Sequence, residues 1–247
     1  MTNRRAFACQ ECGHHLCAGT IFHKSSTPLT KWFFAMYLMT STRSGVAAKE
    51  LERALGVTYK TAWRMAHELR KLMTSVDYAG PLAGHVEIDE TWVGGARRKG
   101  GKGQGKRRSK KVIVMGMVER DGMLRAGPVL DDTNFTLEPI ILENVVGGSE
   151  VTTDGHTSYR NLGLSYDHSV INHAAGEYAR GKYHTNTIEG HWSQLKRSIK
   201  GTHAHISAKH AWKYIGEFNY RRNFRASHFG MFTRLVSAFA LPRLQDA

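Results

Sequence analysis

The run HVEIDETWVGG at 85–95 sets the tightest limit on what this chain can fold into. In an extended segment successive side chains point to opposite faces, so Val86 and Ile88 take one face and Glu87 and Asp89 the other. One side of this strand belongs to a core, and the other carries acids. KKVIVMGMVE, the turn RDG and MLRAGPVL follow as a hairpin. TLEPIILENVV has helical spacing, with Pro139 in its first turn, and SEVTTD and DHSVINH are further short strands. Three strands, a helix, a strand, a helix and a strand make a mixed α/β order: a mixed sheet flanked by helices.

Ahead of this core, residues 29–40 read as an aromatic-rich helix. SGVAAKELERALGVTYKTAWRMAHELRKLM, at 44–73, then gives two helical patterns split by Gly56. Ala48, Leu51 and Leu55 share one face of the first, and Ala62, Met65, Leu69 and Leu72 one face of the second. Thr58 stands where a side-chain oxygen caps the second helix. Two short helices around a glycine turn, the second opening with polar side chains, are a helix-turn-helix pattern. Tyr59, Lys60, Thr61 and Arg64 would face base edges and phosphates, whereas Trp63 is read as core. DYAGPLAG, rich in Gly and Pro, separates this module from the α/β part, and the last quarter of the chain has two more helical patterns.

Charge is spread unevenly. Residues 96–111, ARRKGGKGQGKRRSKK, hold nine Lys or Arg and no acid, which leaves 26 basic against 21 acidic residues elsewhere. One glycine-rich segment therefore supplies most of the net +14, and Arg97, Arg98, Lys106, Arg107 and Arg108 within it suit phosphate contact. The longest apolar run, WFFAMYLM, has eight residues, too few for the roughly 20 that span a bilayer. No secretory signal is visible, so a cytoplasmic protein with no membrane partner is expected. Cys9, Cys12 and Cys17 do not form a secreted disulfide framework. Cys9 and Cys12 match half a zinc ribbon, and two readings stay open: a Zn²⁺ site completed by Cys17 and a nearby histidine, or a remnant that binds nothing.

Asp89 lies near the end of the first core strand, Asp154 ends the strand EVTTD, and Glu189 sits in the helical segment HTNTIEGHWSQLKRSIKG. Strand ends are where an α/β fold builds a site, and clustered carboxylates suit hard divalent cations. At roughly 100° per residue, Ile188, Trp192, Leu195 and Ile199 fall in an arc of about 60°, a core stripe, with Glu189 and Lys196 flanking it. Taken by itself, the segment is read first as an ordinary amphipathic helix with surface charges. His156, His184 and His191 near these acids are read as structural or DNA-facing.

VEIDETWVGG, VTTDGHTSY, HTNTIEGHWSQLKRSIKGTHAHIS and EFNYRRNFR, in this order, resemble the IS1595 family of insertion-sequence transposases with its ISXO2-like DDE domain; GTIFHKSSTPLTKWFFAMYL and the helix-turn-helix resemble its N-terminal region. The resemblance implies a ribonuclease H-like core and metal-dependent DNA cleavage and strand transfer with Mg²⁺ or Mn²⁺, two ions. It implies Asp89, Asp154 and Glu189 as catalytic acids and metal ligands, and Lys196 as a phosphate-binding residue. Asn186 is the reserve third ligand, because some related transposases use Asn there. The implied partners are the element's terminal repeats and target DNA, bound by a homodimer or higher oligomer, and the implied setting is the bacterial cytoplasm, on the nucleoid when DNA is bound.

The corresponding organisation is a partial zinc-ribbon remnant at 1–27, a helix-turn-helix at 28–78, the catalytic domain at 83–225 and a C-terminal helix at 226–247. The family's ribbon has a further cysteine pair upstream of the one matched by Cys9 and Cys12, so a partial ribbon is expected. The alternative function is a decayed or domesticated copy that represses without cutting; a nuclease with no joining step would explain the acids but not the helix-turn-helix.

Overall fold

The computed structural model describes residues 19–23, 25–94, 111–203 and 205–238. The chain divides into two units, one of residues 1–77 with 224–247 and one of residues 78–223.

In the first unit α1 (Leu29–Ser41), α2 (Ala48–Leu55), α3 (Tyr59–Ser75) and α7 (His228–Ser237) follow the apolar spacing of the sequence. Leu51, Leu55, Ala62, Met65, Leu69 and Leu72 are buried, as their periodicity requires. Gly56 ends α2 in the left-handed region (φ 57°, ψ 48°), which costs a glycine little, and its N–H bonds to the Glu52 carbonyl. The Thr58 hydroxyl accepts the Thr61 N–H and caps α3. Trp63, read from the sequence as core, is instead 37% exposed and stacks on His67 with ring centroids 3.8 Å apart. It stands one position past the buried Ala62, on the side of α3 that carries Tyr59. α7 packs on α1, where Phe232 meets Tyr37, and the Arg234 guanidinium bonds the Val76 carbonyl.

The second unit is built on one mixed five-stranded sheet in the order β3-β2-β1-β4-β5: β1 (His85–Val93), β2 (Val112–Glu119), β3 (Leu124–Val129), β4 (Glu150–Asp154) and β5 (Asp167–Ile171). β1 to β3 form an antiparallel meander, and β4 and β5 join parallel to β1. The alternation in β1 divides two cores. Val86 and Ile88 meet Leu137 and Ile141 of α4 (Asn134–Asn144). Val93, Val114 and Val118 face Ile188, Trp192 and Leu195 of α5 (Asn186–Ser198) and Ile215 of α6 (Ala211–Phe224).

β3 is an edge strand, yet its backbone is not left open. The side-chain amide of Asn223 both accepts the Leu124 N–H (2.8 Å) and donates to the Leu124 carbonyl (2.9 Å), and Asn219 donates to the Ala126 carbonyl (2.7 Å). Two asparagines one helical turn apart thus stand in for a missing strand, each bond worth about 1 kcal/mol net.

Two local expectations give way. α4 begins at Asn134, so Pro139 is its sixth residue and lies beyond the first turn. Between β4 and β5 there is no α-helix; Thr157–Tyr159 and Leu162–Leu164 are single 3-10 turns, and Gly155 and Gly163 bracket too little chain to sustain more. Among the described residues no helix is long and apolar enough to cross a membrane.

Candidate active site

The register of β1 and β4 brings two acids together. His85 pairs with Glu150, Val86 with Val151 and Glu87 with Thr152 in parallel alignment. Two residues further along the same register, Asp89 is level with Asp154, the last residue of β4. Neighbouring strands lie about 4.8 Å apart, so the two carboxylates stand side by side at the level where β4 ends. Asp89, expected near the end of its strand, is the fifth of the nine residues of β1, which runs on beside β2 to Val93. The backbone N–H of His156 donates to Asp154 Oδ1 at 3.0 Å and turns the chain away beyond it.

Asp89 is largely enclosed. Burial, then the charge of Glu90 and that of Asp154, push its pKa up to about 7, against the lowering effect of the Trp192 indole N–H, which donates to Oδ2 at 2.8 Å. Trp192 reaches that oxygen because Gly116, which pairs with Asp89 across β2, has no side chain; a Cβ there would collide with the indole ring. Glu90, on the opposite face of β1, accepts the hydroxyl of buried Tyr159 and has His156 Nδ1 at 3.9 Å. Burial raises its pKa as well, with Asp154 adding to the rise and the Tyr159 hydrogen bond opposing it. Among the described residues no Lys or Arg forms an ion pair with Asp89 or Asp154. Acids packed this way, without a basic partner, are an arrangement that a bound cation relieves.

Glu189 lies in the first turn of α5, its side chain half exposed. The Thr185 hydroxyl donates to its Oε1 at 2.9 Å, and His173 Nε2 lies 3.1 Å from the Thr185 oxygen and 3.5 Å from Oε1. In this arrangement the third acid is not gathered with the first two: among the described residues no three His, Cys, Asp or Glu side chains form a group able to hold one ion. Asn186, the reserve candidate, is an exposed residue at the start of α5.

The expected stripe of Ile188, Trp192, Leu195 and Ile199 is buried, and Lys196 is exposed beside it. α5 gives way to a π-type turn at Ile199–His203. Tyr59 is 51% exposed, Lys60 is exposed, and Thr61 and Arg64 are half-buried, Arg64 lying over the Trp32 ring at 5.8 Å. Of the three histidines, His156 lies by Glu90, His184 Nδ1 is 3.2 Å from Glu87, and His191 is buried with the Arg222 Nε at 3.2 Å. Arg97, Arg98, Lys106, Arg107, Arg108, Cys9 and Cys12 lie outside the described residues.

The sequence pattern gives no role to Glu90, Gly116, Tyr159 or His173, and it places Glu87 beside Asp89 on one face of the strand without giving it a role. For Glu90 a signal existed: it follows Val86 and Ile88 in alternation, so a carboxylate occupies a core-facing position.

The sequence profile of the ISXO2-like transposase domain matches residues 81–223, more than half of the chain and nearly the whole second unit. The chain belongs to this transposase family. This ISXO2-like transposase is 27% identical over 234 residues to an uncharacterized protein in transposable element ISH50 of Halobacterium salinarum, a match covering 87% of this chain and 78% of that one. Among solved structures, the transposase is similar to a pre-cleavage Mos1 transpososome (12% identity, 86% of this chain and 79% of that one, TM-score 0.30). It is also similar to the simian T-cell lymphotropic virus intasome in complex with the PP2A regulatory subunit B56 gamma (12% identity, 70% of this chain and 61% of that one, TM-score 0.31).

Proposed function

We propose that this ISXO2-like transposase cuts DNA at the ends of its insertion sequence and joins the freed 3′-hydroxyl to target DNA, with a ribonuclease H-like core at 83–225 as the catalytic domain. The observation that carries the reading is the level placement of Asp89 and Asp154 on adjacent parallel strands, with no basic side chain paired to either among the described residues. Their oxygen donors fit a hard divalent cation such as Mg²⁺ or Mn²⁺. Asp89 and Asp154 would hold it, and Glu189 would complete the set by turning from Thr185 toward the two strands. Two such ions, when bound, supply a lowered pKa for the attacking water or hydroxyl and charge stabilisation for the leaving oxygen.

The protein's own groups do the positioning. Trp192 orients the Asp89 carboxylate, and the bond between Glu90 and Tyr159 holds the chain that follows Asp154. Lys196, exposed two turns along α5 from Glu189, and the basic segment at 97–108 would bind phosphates without reading sequence. α2 and α3 would act as a helix-turn-helix, with Tyr59, Lys60, Thr61 and Arg64 toward the terminal repeats. Because two element ends must be held at once, a dimer or larger assembly on DNA is part of the reading. Cys9 and Cys12 would belong to a partial ribbon, tested by zinc content of the purified protein.

The test is cleavage of DNA carrying the element ends, with Mg²⁺ or Mn²⁺ present. The unaltered protein should nick or join it; Asp89→Ala and Asp154→Ala should abolish both reactions while DNA binding survives. Binding without cleavage by the unaltered protein would instead make this a non-catalytic repressor.

A further inference from the structure

We infer that Glu87 is a positioning residue: it fastens the N-terminus of α5, and with it Glu189, to the strand that carries Asp89. The inference rests on the transposase reading above, because it assigns a role toward the same acids.

Glu87 is fully buried. Its Oε2 accepts the backbone N–H groups of Thr187 (2.8 Å) and Ile188 (3.1 Å), and its Oε1 accepts the Thr187 hydroxyl (2.8 Å) and Arg120 Nη2 (2.9 Å). His184 Nδ1 lies 3.2 Å from Oε1. Arg120 in turn donates through Nη1 to the Lys182 carbonyl, so the same network holds the segment that leads into α5.

The first N–H groups of any helix lack partners within it, and a local side chain usually supplies them. Here the N-cap residue, Thr185, makes no capping bond; its hydroxyl goes to Glu189. A carboxylate about 100 positions earlier in the chain takes over that task. Glu87 is two residues from Asp89 on the same face of β1, and Thr187 is two residues from Glu189. The bond therefore fixes the separation between the first and third acids through a short, rigid path of one strand and one helical turn.

Stability alone gives little reason for this choice. A fully buried carboxylate must be desolvated, and an apolar group of similar volume often serves a core as well or better. A charge held at this point instead specifies where one helix end sits, and the partially positive N-terminus of α5 strengthens the hold.

Glu87→Ala and Glu87→Gln are compared with the unaltered protein in two measurements. Mn²⁺ affinity is read by calorimetry, and backbone amide exchange is read without metal. Ala should weaken Mn²⁺ binding by about tenfold or more, and Gln, which keeps one acceptor oxygen, should recover part of the loss. Exchange at Thr187, Ile188 and Glu189 should quicken by a similar factor in the Ala variant while Leu137 and Ile141 in α4 keep their rates. If the unaltered protein binds Mn²⁺ and both variants bind it equally well, the inference is wrong. Exchange that quickens equally in α4 and α5 would also overturn it, since Glu87 would then be a general core residue. Failure of the unaltered protein to bind Mn²⁺ would overturn the metal reading first, and this inference with it.

Discussion

The indole Nε1 of Trp192 donates to Asp89 Oδ2 across 2.8 Å, and the ring reaches that oxygen by lying over Gly116. A helix and two strands meet at this contact. Gly116→Ala would push the indole off its seat, costing roughly 1–3 kcal/mol of stability and separating the ring from the carboxylate. Trp192→Phe keeps most of the packing and removes only the donor. Both variants should fold, and both should lose about tenfold or more in DNA cleavage; thermal unfolding alongside a cleavage assay distinguishes them from simple destabilisation. Full activity in Trp192→Phe would mean that the hydrogen bond does not orient Asp89.

Asp89 gives the metal-free protein a defined pH response. Its carboxyl has a pKa of about 7 when folded, chiefly because of burial, against 3.8 for the free group. Below pH 3.8 it is protonated in both states and has no effect. Between 3.8 and about 7 the unfolded chain releases the proton more readily, so stability falls as pH rises, by on the order of 4 kcal/mol at most. Denaturant unfolding of the metal-free protein should show this loss between pH 4 and 7, and Asp89→Asn should remove that part of the slope. Identical slopes in the two proteins would argue against a strained Asp89.

Glu189 and Asn186 make separable predictions as the third ligand. Glu189→Gln should reduce cleavage by about a hundredfold or more and leave DNA binding near its original strength. Asn186→Ala, altering an exposed side chain at the helix start, should cost less than about threefold. The reverse ranking in a single-turnover cleavage assay would give the third position to Asn186.

Lys196 is assigned to phosphate contact, which carries a salt signature. Lys196→Ala should weaken binding to specific and unrelated DNA alike, and should reduce the slope of log affinity against log salt by roughly 0.9. A loss confined to the specific site would mean that Lys196 reads sequence.

Several of these features were legible before the fold was known. The alternation in HVEIDETWVGG separated Val86 and Ile88 from Glu87 and Asp89, although both faces of β1 are buried and Glu90 shares the apolar one. The helical spacing of Ile188, Trp192, Leu195 and Ile199 named the buried stripe of α5. Such patterns are local, and a period can be read from neighbours in the chain. The roles of Glu87, Gly116 and Tyr159 were hidden because each residue acts through a partner distant in sequence, across a strand pairing or a helix packing that a single sequence does not display. Local chemistry also misleads where tertiary packing decides: Trp63 has a core residue's character and stands half exposed. The side chain of Glu189 was the least legible, since spacing places it on a face of α5 but not its bond to Thr185.

Asp89 and Asp154 are proposed to bind the metal used in DNA cleavage, and a switch of metal preference tests that role at the carboxylate itself. Asp89→Cys replaces a hard oxygen donor with a softer sulfur, which suits Mn²⁺ better than Mg²⁺. Cleavage of element-end DNA by this variant should be lost in Mg²⁺ and substantially regained in Mn²⁺, with the unaltered protein active in both. Equal activity of Asp89→Cys in the two metals, at the level of the unaltered protein, would mean that Asp89 is not a metal ligand.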